Sequence, residues 1–464
     1  MELIAQTNRL VHTLIDEPGC ESLSTAQVEH ALVQIKTNGR AQGVSRSLRQ
    51  QDLSRLVDLY VLRKAPAPSR RAMIECLTIL ANALVWSEDL LASFEPGHVI
   101  TKVLNECFQP SVDAREEYLF MRLLFLFTFH GRRYDEKLIK TGLAAVASKI
   151  SYAAAHEAVF TTEMERLAFI ECMKFTFNLL HHYPLAVDYV QGYTARALVK
   201  IFYTLDPREE HDLCQHISNC LLCLPVAAWL YENDSLTVLE RILAFVEIMV
   251  DPVNENLRED RILAPPLSLL HCIVSDLFKT QQQSDESSEK RASLRSMCRE
   301  RILPSASDRK QVLGTTDSLA SYLLRITIDP VLRTTRNIIF DIFWKLSHES
   351  PDEFVGNFGL GYASSFLASH GIAFPESVNT TQPSTPTTTS DNVAGPSVNP
   401  ITGQYVQYEK QTPNPVDEMT EEEKERDAER MFVLFERLKA NNMIKVQNPV
   451  EVAARQGKLH ELDN

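Results

Sequence analysis

The densest group of side chains that could do chemistry lies between residues 211 and 223. It holds residue types that bind zinc, at His211, Cys214, His216, Cys220 and Cys223. A structural zinc site would need a second C-x-x-C or an H-x-x-x-H at the usual spacing, and the sequence has none there. Cys220 and Cys223 lie in an apolar segment, where a buried free thiol is the commoner state. We therefore expect no metal and no other cofactor.

Four polar side chains interrupt segments that otherwise have the pattern of buried helices. They are Asn82, Arg122, Lys174 and Asn178. Asparagine can pair with peptide amides, and arginine and lysine pair with carboxylates, so this set could recognise a peptide in an apolar groove. Lys174 and Asn178 are four residues apart and share one helix face. The alternative is that these groups are hydrogen-bonded locally, as most buried polar groups are.

Helical periodicity extends from residue 1 to about 370, and it includes a repeat. Segments 75–84 and 171–180 both have the pattern E-C-[LM]-x-x-x-x-N-x-L, and one position from each successive apolar segment gives residues 82, 128, 178, 223 and 272. The steps are 46, 50, 45 and 49 residues, at or just above the length of armadillo and HEAT repeats. The sequence predicts an all-α, armadillo/HEAT-like α-solenoid over residues 1–374, with a further inner helix at 337–346 and a surface loop at 281–291.

The composition changes after residue 374. Of the 41 residues from 375 to 415, 21 are Ser, Thr, Pro or Gly, which predicts a disordered linker. Residues 416–445 then have an amphipathic helical pattern, and 446–464 form a C-terminal tail. Met431, Phe432 and Phe435 lie on the apolar face of that helix, which could cover a partner or the end of the chain's own solenoid.

The overall composition excludes several classes of function. Only 15 of 464 residues are Gly, and the chain has neither a P-loop nor a G-x-G-x-x-G motif, so we expect no nucleotide site within it. A formal charge of −14 without a basic stripe argues against nucleic-acid binding. Nine cysteines in apolar contexts indicate reduced thiols. With no signal peptide and no apolar run beyond 12 residues, we expect a cytoplasmic protein without a transmembrane segment.

Motifs in the C-terminal part resemble those of the synembryn family. They are N-P-I-T-G at 399–403, P-N-P at 413–415 and M-T-E-E-E-K-E at 419–425. Upstream, the R-L-L-F-L-F-T run at 122–128, the Leu224-Pro225 pair and the segment 358–366 are also similar to family segments. The resemblance implies a right-handed armadillo-like solenoid and a non-receptor exchange factor and folding chaperone for heterotrimeric G-protein α subunits.

The resemblance also implies how such a protein works. The solenoid groove receives the C-terminal helix of the α subunit, whose nucleotide-free state it stabilises, so that GDP leaves and GTP enters. The chain would act by differential binding, without covalent chemistry and without catalytic residues, as a monomer that reaches the cell cortex through its partner. Its C-terminal helix would hold the GTPase domain from another side.

Three further residues enter as partner contacts through this resemblance. Asn219 is similar to the first Asn of the family's N-L-L-G-N-L-P segment, although Cys223 replaces the second. Lys36 and Arg40, an i,i+4 pair, match basic residues on the family's first inner helix, with solvated surface charge as the alternative. The competing function is a passive armadillo-type scaffold or adaptor, which would read a linear motif without exchange activity.

Overall fold

A computed structural model describes residues 2–375, apart from gaps at 17–18, 42, 65, 95–96, 108, 110, 132–133, 158–159, 191, 232–233 and 280–284. It also describes residues 397–409 and positions 420, 426, 429, 430 and 433. The chain divides into two compact units, residues 1–392 with 398–404, and residues 393–397 with 405–464. We call the first of these the helical unit.

Helices form nearly all of the helical unit, and its described residues contain no β-strand, so the predicted all-α class is confirmed. The helices are α1 (Glu2–Ile15), α2 (Thr25–Asn38), α3 (Gln50–Val57), α4 (Arg70–Trp86), α5 (Glu88–Ser93), α6 (Gly97–Cys107), α7 (Ala114–Thr128), α8 (Glu136–Ala155), α9 (Glu163–His182), α10 (Pro184–Val190), α11 (Tyr193–Thr204), α12 (His211–Leu222), α13 (Ser235–Val250), α14 (Asp260–Leu277), α15 (Asp285–Ile302), α16 (Leu319–Thr327), α17 (Arg333–Leu346) and α18 (Pro351–Ser369).

One helix of each predicted repeat packs on its counterparts in the neighbouring repeats. The packing order is α2 on α4, α4 on α7, α7 on α9, α9 on α12, α12 on α14 and α14 on α17. Repeat positions 82, 128, 178 and 272 lie on α4, α7, α9 and α14, and residue 223 directly follows α12. Stacking of neighbouring units is how repeat proteins bury their apolar faces, so this order supports the α-solenoid interpretation. We call these seven helices the spine.

The two spine helices α7 and α9 begin at well-defined residues. Asp113 and Glu116 form a capping box at the start of α7, and Thr162 and Glu165 form one at the start of α9. In each box the two side chains satisfy backbone amides that lack a helical partner. Both helices are buried along most of their length, so their few polar side chains interrupt otherwise apolar faces.

The predicted surface loop at 281–291 is wrong for residues 285–291, because α15 begins at Asp285. This helix is polar at its start, and its later turns bury Leu294, Cys298 and Ile302. Each of these residues is four positions from the next, so they form one narrow apolar stripe that anchors the helix.

Part of the predicted linker belongs to the helical unit, since residues 398–404 cluster with it. The predicted helix at 416–445, with Met431, Phe432 and Phe435, lies outside the described residues apart from single positions, as does the tail at 446–464. None of the described helices is both long enough and apolar enough to cross a bilayer.

Candidate peptide-binding surface

Arg122, Glu171 and Lys174 form one ion-paired cluster between α7 and α9. Arg122 Nη1 lies 3.0 Å and Lys174 Nζ lies 2.9 Å from the same Glu171 oxygen, Oε1. The Glu171 side chain is 4% exposed, whereas each cation is 28% exposed. A buried carboxylate thus holds two cations close together, and the cluster presents a net positive charge to solvent.

Aromatic rings flank both cations. Arg122 lies over the ring of Tyr118 and Lys174 over the ring of Phe125, each 5.8 Å from the ring centroid. Phe125 packs edge to face against Phe129, whose side chain is 52% exposed. Because 118, 122, 125 and 129 follow helical spacing, they line one face of α7, which Phe129 continues as the residue that directly follows the helix. Such a face offers apolar contact and positive charge side by side.

The matching face of α9 carries Lys174 and Phe177. Phe177 is half-buried and stacks on His181 with 5.4 Å between the ring centroids. Together the two faces form a surface that we call the α7–α9 strip. Its members are Tyr118, Arg122, Phe125, Phe129, Lys174 and Phe177.

Asn178 is 3% exposed and bonds inside the fold. Its Nδ2 donates to the Phe125 carbonyl at 3.0 Å and to Thr128 Oγ1 at 3.1 Å. The last carbonyls of a helix have no intrahelical partner, so Asn178 satisfies part of the end of α7. The structure therefore places this predicted peptide contact beneath the surface, where it supports Phe125 and the turn that leads to Phe129.

The α4 copy of the motif has a different arrangement. Lys36 Nζ lies 2.5 Å from Glu75 Oε2, and these side chains are only 14% and 8% exposed. Asn82 is half-buried, and no hydrogen bond joins its side chain to another described residue. Helix α2 ends at Asn38, so Lys36 and the exposed Arg40 do not share the helix face that their spacing predicts.

Helix α12 extends the polar surface beyond α9. His216 and Asn219 are both half-buried and lie three residues apart on that helix. Burial, together with the positive charge of Lys174, lowers the pKa of His216 to about 4. The imidazole is therefore neutral near pH 7, and Asn219 is the amide next to it.

The cysteines of the same helix are packing residues. Cys214 and Cys220 are fully buried, and the Cys220 thiol donates to the Met173 carbonyl at 3.3 Å. Burial raises the pKa of Cys214 to about 12, so its thiol stays protonated. Within the described part of the chain, no three His, Cys, Asp or Glu side chains are arranged to hold a metal ion.

The anchors of this surface were not predicted from the sequence. Glu75 and Glu171 were identified only as part of a repeat pattern, yet Glu75 pairs with Lys36, and Glu171 pairs with both Arg122 and Lys174. The exposed rings of Phe129 and Trp86, at the ends of α7 and α4, were also missed. The three-residue spacing of Glu171 and Lys174 was a sequence pattern that could have indicated the ion pair.

Comparison with known proteins gives consistent similarities. A family model described as guanine nucleotide exchange factor synembryn matches residues 31–458. A synembryn-like chaperone of Schizosaccharomyces pombe is 29% identical over 166 residues, covering 34% of this chain and 30% of that protein. Chaperone Ric-8A of Xenopus tropicalis is 28% identical over 241 residues, covering 50% of this chain and 39% of that protein. The chain thus spans only 30–39% of the length of these relatives.

Proposed function

The chain belongs to the synembryn family, and we propose that it acts as a guanine nucleotide exchange factor and folding chaperone for G-protein α subunits. The family description names the exchange activity, and the two relatives are named as chaperones. The observation that carries the proposal is the α7–α9 strip. There a buried carboxylate presents two partly exposed cations among aromatic rings.

The strip fits the C-terminal helix of an α subunit. A terminal carboxylate would approach Arg122 and Lys174, whose donors are only partly used by Glu171. Hydrogen bonds to charged groups contribute roughly 1.5–3 kcal/mol each, so two cations can anchor one chain end. The apolar residues of the incoming helix would pack on Phe125, Phe129 and Phe177, as in other helix-in-groove interactions.

The half-buried amides of Asn82 and Asn219 extend this surface along the spine. Each has donors and an acceptor that could meet polar groups of the bound helix. Asn82 lies on α4 and Asn219 on α12, the spine helices that pack on α7 and α9. A ligand that reached both amides would cross four consecutive spine helices, which favours an elongated helical ligand.

Exchange would follow from differential binding. The chain makes and breaks no covalent bond, so it has no catalytic residues. A ligand shifts an equilibrium only by its preference for one state, and moving a population from 1:99 to 99:1 takes about a 10⁴-fold preference. By binding the nucleotide-free α subunit more tightly than the GDP-bound form, the chain would promote GDP release. Met431, Phe432 and Phe435 of the predicted helix at 416–445, which we call the C-terminal arm, would add contacts with the GTPase domain.

Nucleotide release from a purified α subunit tests this function. We expect the full chain to accelerate GDP release and to form a stable nucleotide-free complex on size-exclusion chromatography. The double variant Arg122→Ala with Lys174→Ala should lose most of the acceleration. Lys102→Ala on α6 is a matched control, because it removes a partly exposed cation that pairs with Glu106 at 3.4 Å on a helix that contributes no residue to the strip.

The possible results separate the two functions. Unchanged GDP release together with no complex would contradict exchange. Peptide binding without any effect on release would instead support the adaptor that reads a linear motif. The chaperone role has its own readout, the yield of GTP-binding α subunit made by cell-free translation with and without the chain. An unchanged yield would contradict it.

A further inference from the structure

A short turn at 399–404 is ordered by its own hydrogen bonds. The Gly403 amide donates to the Asn399 carbonyl at 2.8 Å, and the Asn399 amide donates to the Gln404 carbonyl at 2.8 Å. The Ile401 amide donates to Asn399 Oδ1 at 2.8 Å. Gly403 has a φ of +71°, which side chains other than glycine rarely adopt. We call residues 399–404 the docked turn.

The docked turn binds a kink in α18. Gly359 interrupts that helix with φ +75° and ψ +156°. A helix that restarts after a kink has first amides without an i−4 acceptor, and the turn supplies the acceptors. The Leu360 amide donates to the Pro400 carbonyl at 2.8 Å, and the Gly361 amide donates to the Ile401 carbonyl at 3.0 Å.

The contact leaves no room for a side chain at Gly359. A Cβ placed there would lie 2.7 Å from Gly403 N, 2.7 Å from the Ile401 carbonyl oxygen and 2.7 Å from the carbonyl carbon of Thr402. These are backbone atoms, which cannot move aside as the end of a flexible side chain can. Gly356, three residues earlier in α18, has no such neighbour within 4 Å of a Cβ.

Arg309 also links the docked turn to α18. It is 9% exposed, and its Nη1 donates to the Gly403 carbonyl at 2.7 Å while its Nη2 donates to the Asn357 carbonyl at 3.0 Å. Gln404 Nε2 donates to the Lys310 carbonyl at 3.3 Å. The turn is thus held by backbone, side-chain and steric contacts at once, all within the helical unit.

We propose that the docked turn anchors the C-terminal arm to the helical unit, and that Gly359 and Arg309 are positioning residues for the arm's part in exchange. This role rests on the proposed function. With the turn docked, the predicted helix at 416–445 is tethered from residue 404 rather than from residue 374, a tether roughly 3.5 times shorter. Effective concentration falls roughly as the −3/2 power of tether length, so release of the turn would lower it about sixfold.

Gly359→Ala tests the anchor, with Gly356→Ala as the matched control on the same helix. We expect faster hydrogen exchange at the Leu360 and Gly361 amides in Gly359→Ala, and wild-type exchange in Gly356→Ala. Gly403→Ala is a second variant that strains the turn without altering α18, and it should also speed exchange at both amides. Wild-type protection in both Gly359→Ala and Gly403→Ala would overturn the anchor.

GDP release from a purified α subunit tests the positioning role. Gly359→Ala should slow the stimulated release about three- to tenfold, while affinity for a peptide from the C-terminus of that protein stays unchanged. In a full chain that already carries Phe432→Ala and Phe435→Ala, the same substitution should slow release no further. An equal loss in both backgrounds, or no loss in the first, would overturn the positioning role. A wild-type chain without exchange activity would refute the proposed function and this role together, and hydrogen exchange would still decide the anchor.

Discussion

Two spine helices, α4 and α9, carry the same sequence pattern. The cations that pair with their glutamates differ in exposure, and the asparagines differ in the opposite sense. In α4, Glu75 pairs with one cation, Lys36, which is largely buried, while Asn82 has no described hydrogen-bond partner. In α9, Glu171 holds Arg122 and Lys174, which both reach solvent. Asn178, at the position of Asn82, is buried and bonded to α7.

The difference shows that residues at the same position of a repeat motif can have different roles in two helices. The glutamate of both copies is buried and pairs with a cation of the neighbouring spine helix, Lys36 or Arg122, but only α9 adds a second cation, Lys174, from its own next turn. On α9 the charge is accessible and the amide is structural, whereas on α4 the amide is accessible and the charge is structural. We therefore propose that a partner's carboxylate would bind at α9 and that a partner's polar group would meet the amide at α4.

The largest expected effect is on stability, at the α4 pair. Lys36→Ala leaves the Glu75 carboxylate buried without a cation, which should lower the free energy of unfolding by about 3 kcal/mol. Lys174→Ala should cost less than about 1 kcal/mol, because Arg122 still pairs with Glu171. Urea unfolding followed by far-ultraviolet circular dichroism measures both. Equal losses would contradict the distinction between the two copies.

A second effect depends on pH and involves His216 on α12. Burial lowers its pKa to about 4, below the value of about 6.5 in an unfolded chain. The unfolded chain therefore binds the proton more readily, and stability is lost as pH falls from about 6.5 towards 4. At pH 5 the loss should be about 2 kcal/mol.

The comparison of wild type with His216→Gln isolates this contribution from those of other titrating groups. Unfolding free energies at pH 7 and pH 5 should differ less in the variant, by about that amount. An identical pH dependence in the two proteins would show that burial does not lower the pKa of His216.

The smallest effect compares the two asparagines directly. Asn178→Ala removes two hydrogen bonds at the end of α7 and should cost about 1–2 kcal/mol of stability. Asn82→Ala should cost no more than about 0.5 kcal/mol, because it breaks no hydrogen bond with a described residue. Thermal unfolding of both variants checks this order, and a larger loss for Asn82→Ala would reverse the assignment.

The spine was predictable from one sequence because burial there depends on local periodicity. The apolar segments around residues 82, 128, 178 and 272 are nearly continuous, so helix and repeat length follow from spacing alone. Helix α15 was not predictable in this way. Its first turns are polar, and the stripe at Leu294, Cys298 and Ile302 begins only beyond the run that predicted a loop.

The long-range contacts could not be predicted from spacing. The N-P-I-T-G motif was visible in the sequence, but its contact at Gly359 lies about 40 residues earlier in the chain. That contact depends on a kink in α18 that no sequence pattern predicted. The same holds for Asn178, whose partners lie on another spine helix. Such contacts join residues far apart in the chain, so a single sequence does not indicate whether a polar group faces a partner or a neighbouring helix.

The affinity of the full chain for a peptide from the C-terminus of an α subunit tests the central claim most directly. Isothermal titration calorimetry should show that Arg122→Ala with Lys174→Ala weakens binding about 10- to 100-fold, while circular dichroism shows unchanged helicity. Lys102→Ala should bind as wild type does. Wild-type affinity in the double variant would contradict the assignment of the α7–α9 strip as the partner site.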